Sequence, residues 1–99
     1  LTKTLAIELG PFNIRANAIC PGPVEGERMT FVAQRESEHK GKTTEEILEE
    51  YASGASMRKL ISPQDVADMA VFLASDKASL VSGQVIAVDG HTENPEPRS

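Results

Sequence analysis

The sequence predicts an α/β fold, helices layered on a parallel sheet, from three observations. Two apolar stretches with strand character, residues 14–20 and 84–89, alternate with helical patterns. The second contains Val85-Ile86-Ala87-Val88, an unbroken run that suits a parallel strand covered on both faces. Glycine and proline close the elements at Gly10-Pro11, Pro21-Gly22-Pro23, Ser53-Gly54 and Gly90. Strands alternating with helices favour a layered parallel sheet.

The elements follow in order. Leu1, Leu5 and Leu9 recur at i, i+4, i+8 and predict a first helix, ended by Gly10-Pro11. Residues 14–20 then form a strand that Pro21-Gly22-Pro23 stops sharply. From Gly26 to Arg35, Met29, Phe31, Val32 and Ala33 lie among polar residues, a short, weak helix; residues 36–42 read as a solvated charged stretch. Thr43-x-x-Glu46 has capping-box spacing and opens a helix over Ile47, Leu48 and Tyr51, ended by Ser53-Gly54. Residues 57–61 are an irregular link. Ser62 caps the clearest helix, with Pro63 at its first position and Asp65 near the positive end of its dipole. Val66, Met69, Ala70 and Leu73 give that helix one buried face. Residues 84–89 form the last strand, and residues 92–99 read as a disordered tail.

Composition narrows the function classes. The 99 residues carry 10 Lys+Arg and 15 Asp+Glu, a net charge of −5 with dispersed cations, which argues against a nucleic-acid surface. No apolar run reaches the roughly 20 residues a membrane helix needs, and no signal peptide pattern is present. The one cysteine, Cys20, excludes an internal disulfide; its apolar surroundings predict a buried, inert thiol in a cytoplasmic protein. His39 and His91 stand far apart without Cys or carboxylate at metal spacing, so no metal site is expected. The carboxylates of Glu45, Glu46, Glu49 and Glu50 read as a solvated helix face. Leu1 already stands inside a helical pattern, and two central-type strands are too few for a sheet. The expectation is a chain that continues upstream, its missing strands lying there or in a partner.

Three stretches, in order, resemble the C-terminal part of the short-chain dehydrogenase/reductase family, and in particular its 3-oxoacyl-ACP reductase-like members. Residues 1–11, LTKTLAIELGP, are similar to the second half of the helix carrying the family's Tyr-x-x-x-Lys motif. Residues 14–22, IRANAICPG, resemble its sixth strand and the following turn. SPQDVA from Ser62 through SGQVIAVDG to Gly90 resembles its last helix and strand. The resemblance implies the last two strands, with flanking helices, of a Rossmann-like doubly wound parallel sheet. Residues 1–91 would be the C-terminal portion of that one domain, with 27–57 as its substrate-lid insertion.

The resemblance also implies hydride transfer between NAD or NADP and an alcohol or carbonyl substrate, in a full-length homo-oligomer, dimer or tetramer. Carried over, Pro21, Gly22, Pro23 and Val24 border the nicotinamide, with the Val24 backbone holding its carboxamide. Ligands in open α/β sheets lie beyond the carboxyl ends of the strands, where this turn stands. From the residues alone the turn reads as a bare strand end, and the resemblance turns that reading toward the cofactor. Met29, Phe31, Val32 and Tyr51 either face a substrate or pack the lid onto the body. The family's threonine three residues after Pro23 is replaced by Gly26, beside Glu25, which removes a side-chain hydrogen bond to the cofactor. His91 stands where the family often has glycine and reads as a solvated turn residue. No catalytic residue is assigned: Tyr51 has Ala55, not lysine, four residues on, and the family's Tyr and Lys are expected just upstream of Leu1. Two functions stay open: part of an NAD(P)-dependent oxidoreductase, inactive alone, or a non-catalytic module that associates with a full-length relative.

Overall fold

The computed structural model describes residues 1–92; residues 93–99, most of the expected tail, lie outside it. Its elements run α1 (Thr2–Leu9), β1 (Ala18–Pro21), α2 (Glu27–Lys40), α3 (Thr44–Ser53), α4 (Pro63–Ala74) and β2 (Val85–Val88), with 3-10 turns at Gly10–Phe12 and Asp76–Ala78.

β1 and β2 pair in parallel, Ala18 opposite Val85 and Pro21 opposite Val88. The Ala18 N–H donates to Gln84 O and the Gly22 N–H to Val88 O, both at 2.9 Å. These donors occupy even positions, so Pro21 falls where the ladder asks for no N–H. The strand therefore includes Pro21, against the expectation that proline would stop it. It also starts four residues later than expected. Residues 14–17 are held instead by side chains: Asn17 Nδ2 donates to Val81 O at 2.8 Å, and the Gln84 N–H donates to Asn17 Oδ1 at 3.1 Å. The Arg15 guanidinium donates to the carbonyls of Leu73, Ser75 and Ala78. It thereby satisfies the Leu73 carbonyl, which the end of α4 leaves without a backbone partner, and adds a second donor to those of Ser75 and Ala78.

The first helix does not end on Gly10, which keeps right-handed helical angles. The chain turns at Asn13, φ 62°, ψ 36°. The Asn13 N–H bonds to Gly10 O and the Ile14 N–H to Leu9 O, the pair that defines a Schellman ending. Pro11 fits the short 3-10 turn because its φ is already helical.

α2 is longer than expected and runs through the charged stretch to Lys40 before ending at Gly41. The run is solvated, yet its pairs repeat at helical spacing: Glu36 with Lys40 at 3.6 Å, and Arg35 over the Phe31 ring at 5.7 Å. Both capping boxes form as the sequence predicts, Thr43 with Glu46 and Ser62 with Asp65.

α2 and α3 pack on one another, with Ala33 and Ile47 fully buried. The pair stands away from the strands, and the radius of gyration of 16.9 Å exceeds the roughly 13 Å of a compact chain this long. The strand layer buries Leu73 and Ala78. α4 covers the Ile19 face of the sheet, where Ile19, Ala70, Leu73 and Ala74 line one recess. Val66 and Met69 are half-buried, while Ala70 remains exposed. Cys20 points to the opposite face beside Ala87, and both are exposed. The expected burial of this thiol is therefore not found, because Cys20 lies on the face of the ladder opposite the one α4 covers. Thr92, the first residue of the expected tail, bridges antiparallel to Ala55.

The Ser62 N–H, and then the Ser62 hydroxyl, hold the Asp65 carboxyl below its ordinary 3.8; Thr43 does the same for Glu46, below 4.5. Lowered folded values mean that these caps stabilise fully above about 4.5 and are lost as pH falls through the lowered values. We expect Ser62→Ala to lower stability by about 1 kcal/mol in urea unfolding. We also expect helicity followed by circular dichroism to decline only once pH drops below the ordinary carboxylate range.

Candidate functional site

The carboxyl end of β1 leads directly into Pro21-Gly22-Pro23-Val24. Gly22 is required by a close approach: a Cβ there would lie 2.8 Å from Asp89 Cβ and 3.0 Å from Asp89 Cα. The approach is to the end of β2.

Beyond it, Val24 bridges in parallel to Ile61. The Ile61 N–H donates to Pro23 O at 2.9 Å, and the Glu25 N–H donates to Ile61 O at 2.7 Å. A parallel bridge of this kind turns the central residue's own groups away from its partner. Accordingly, no hydrogen bond among the described residues uses the N–H or C=O of Val24. These two groups, half-buried and without partners, stand one donor beside one acceptor, the complement of a carboxamide. The turn thus fits the nicotinamide end of a dinucleotide through backbone alone.

Gly26 supplies the N-cap of α2 at φ 156°, ψ −176°, with no side-chain hydrogen bond. Threonine would be strained in that conformation although nothing lies within 4 Å of its position. The departure at Gly26 is therefore one of backbone path as well as of a lost hydroxyl.

Val24, Met29, Val32 and Tyr51 line one cavity of about 300 Å³ together with Arg28. Three of the four lid residues expected from sequence thus meet the turn, brought there by the start of α2 and the end of α3. Phe31 does not; it is exposed, beneath Arg35. Arg28 is the lining residue that the sequence reading missed. Its signal is a cation in the first turn of a helix, where the dipole disfavours it.

Partial burial raises the Tyr51 hydroxyl above its ordinary 10.0, and the Glu36 carboxylate adds to this. A tyrosine poised for proton transfer near neutral pH needs the opposite shift. His91 is tied to Ser56, its Nδ1 against the Ser56 hydroxyl, and its backbone N–H donates to Asp89. Among the described residues no three His, Cys, Asp or Glu side chains gather as metal ligands, and no helix is long and apolar enough to cross a membrane.

Comparison with known proteins adds an independent line. A family model described as enoyl-(acyl carrier protein) reductase matches residues 1–91. The oxidoreductase UcpA of Escherichia coli (strain K12) is 38% identical over 96 residues, 97% of this chain and 35% of that protein. The NADPH-dependent reductase BacG of Bacillus subtilis (strain 168) is 33% identical over 89 residues, 90% of this chain and 34% of that protein. The crystal structure of L-sorbose reductase from Gluconobacter frateurii, complexed with NADPH and L-sorbose, is similar at a TM-score of 0.86 and 30% identity. That likeness covers 96% of this chain and 36% of the sorbose reductase. The chain spans about a third of the length of the curated relatives it matches.

Because the Gly22 approach is to backbone and Cβ atoms that cannot swing aside, Gly22→Ala should lower stability by about 1–3 kcal/mol. Urea unfolding of wild type and variant checks this, and equal midpoints would contradict the tight crossing.

Proposed function

The chain belongs to the short-chain dehydrogenase/reductase family, and from that premise we propose that it forms the nicotinamide-side edge and lid of an NAD(P)-dependent oxidoreductase site. Residues 1–91 are then part of a single Rossmann-like domain, with 27–57 as its substrate lid. The substrate is an alcohol or carbonyl compound. The observation that carries this reading is the Val24–Ile61 bridge, which leaves the Val24 N–H and C=O free at the carboxyl end of a parallel strand.

A bound nicotinamide supplies or accepts the hydride. Pro21 and Pro23 stiffen the turn, Gly22 seats it against Asp89, and Val24 holds the carboxamide through its unused pair of groups. Met29, Val32 and Tyr51 close over the reacting carbon and exclude water. Phe31 has no part in this. Proton transfer falls to the family's Tyr-x-x-x-Lys pair, which in this reading lies N-terminal to Leu1, since Tyr51 has the wrong neighbours and the wrong shift. The NADPH bound to the sorbose reductase and the NADPH dependence of BacG support a nicotinamide cofactor for this protein. Self-association of the whole protein in the cytoplasm is part of the proposal; exposed Leu1, Ile7, Phe12, Val71 and Leu80 are the apolar surface to be covered.

The test is cofactor binding by the native protein. Val24→Pro removes one N–H that the bridge does not use, so NADPH should bind about tenfold more weakly, the worth of one hydrogen bond. Val24→Ala keeps the backbone and should bind close to wild type. A Val24→Pro protein that holds NADPH as tightly as wild type would sink the assignment. The 99 residues alone should give no turnover with NADH or NADPH and a carbonyl panel; measurable hydride transfer by the pure chain would contradict the placement of the acid/base pair.

A further inference from the structure

The cavity at the turn is apolar on the sides formed by Val24, Met29 and Val32, has the Tyr51 ring on another, and carries one formal charge, on Arg28. Resting on the hydride-transfer reading above, we propose that Arg28 is a specificity-determining residue that selects a small aliphatic substrate bearing a carboxylate, a keto acid or hydroxy acid.

Fold stability does not account for this arginine. It is the second residue of α2, where a cation works against the helix dipole. It enters no hydrogen bond among the described residues, and their ion pairs, Lys40 with Glu36 and Lys42 with Glu50, do not include it. Arg28 is exposed and lines the cavity, and a guanidinium has the planar donor fork that matches a carboxylate. A singly charged group is favoured over a phosphate because no second cation lines the cavity. The surroundings are also acidic: Glu25 and Glu27 precede the arginine in sequence and the chain carries a net charge of −5, so a doubly charged anion would meet more repulsion than one guanidinium offsets. The volume of about 300 Å³ stands at the lower end for small-molecule sites and suits a short aliphatic chain. Val24 and Arg28 border the same space, so one end of such a molecule lies by the nicotinamide edge while its carboxylate meets the guanidinium.

The experiment is calorimetric titration of the native protein with hexanoate and with methyl hexanoate, in wild type, Arg28→Gln and Arg28→Lys, with and without NADP. NADPH binding to each protein is read separately from cofactor fluorescence. Hexanoate should bind wild type more tightly than its ester, and Arg28→Gln should weaken hexanoate about tenfold or more while leaving the ester unchanged, as expected for a hydrogen-bonded charge. Arg28→Lys should retain part of the preference, since it keeps the charge and loses the fork. Equal binding of acid and ester by wild type, no binding of hexanoate, or an unchanged hexanoate affinity in Arg28→Gln would each overturn the proposal. Failure of wild type to bind NADPH counts against the hydride-transfer reading, and the acid–ester comparison without cofactor still decides the role of Arg28.

Discussion

The parallel ladder of Ala18–Pro21 on Val85–Val88 joins segments from opposite ends of the chain, and different chemistry locks each of its ends. At the start, one Asn17 side chain both donates to Val81 O and accepts from the Gln84 N–H, 67 residues away. At the finish, Gly22 allows a crossing with Asp89 that no larger residue permits. Closing so long a loop costs entropy that four ladder residues alone offset poorly. The side-chain bracket and the tight crossing fix the register, and Arg15 ties the end of α4 to the same corner through three carbonyls.

The candidate site inherits its geometry from that ladder. With Gly22 held against Asp89, the chain emerges as Pro23-Val24-Glu25 along Ile61, and the Ile61 bridge consumes the neighbours' groups while sparing those of Val24. The same stretch of backbone launches α2, which with α3 brings Arg28, Met29, Val32 and Tyr51 to Val24. In the proposed function, a rigid strand end carries the cofactor-side contacts, and a separately packed helical pair carries the substrate side. Specificity can then vary along α2 and α3 while the strand end stays fixed.

The parts legible in the sequence are those written in local code. Both capping boxes, the Pro63 start and the unbroken apolar run of β2 need only neighbours a turn away. The parts that escaped need distant partners. Arg15 and Asn17 look like alternating strand residues until the loop at 75–84 is seen accepting their hydrogen bonds, which is why β1 is shorter than its pattern. The steric need for glycine at 22 was hidden because Asp89 lies 67 residues on. The length of α2 was hidden because a charged run was read by its polarity and not by its i, i+4 pairing. Cys20 sits in an apolar run, yet burial depends on which face α4 covers. Met29, Val32 and Tyr51, singled out through the family resemblance, share a cavity with Val24; Arg28, which also lines it, was not singled out, although a cation in a helix's first turn is a readable anomaly.

The central claim is that the Ile61 bridge reserves the Val24 N–H for a cofactor. Amide hydrogen exchange of the native protein, with and without NADPH, tests it at single residues. The account predicts that Gly22, Glu25 and Ile61 are protected in both states, and that Val24 exchanges fast without NADPH and becomes protected when it binds. A Val24 amide already protected in the free protein, or one that NADPH leaves exchanging fast, would contradict it.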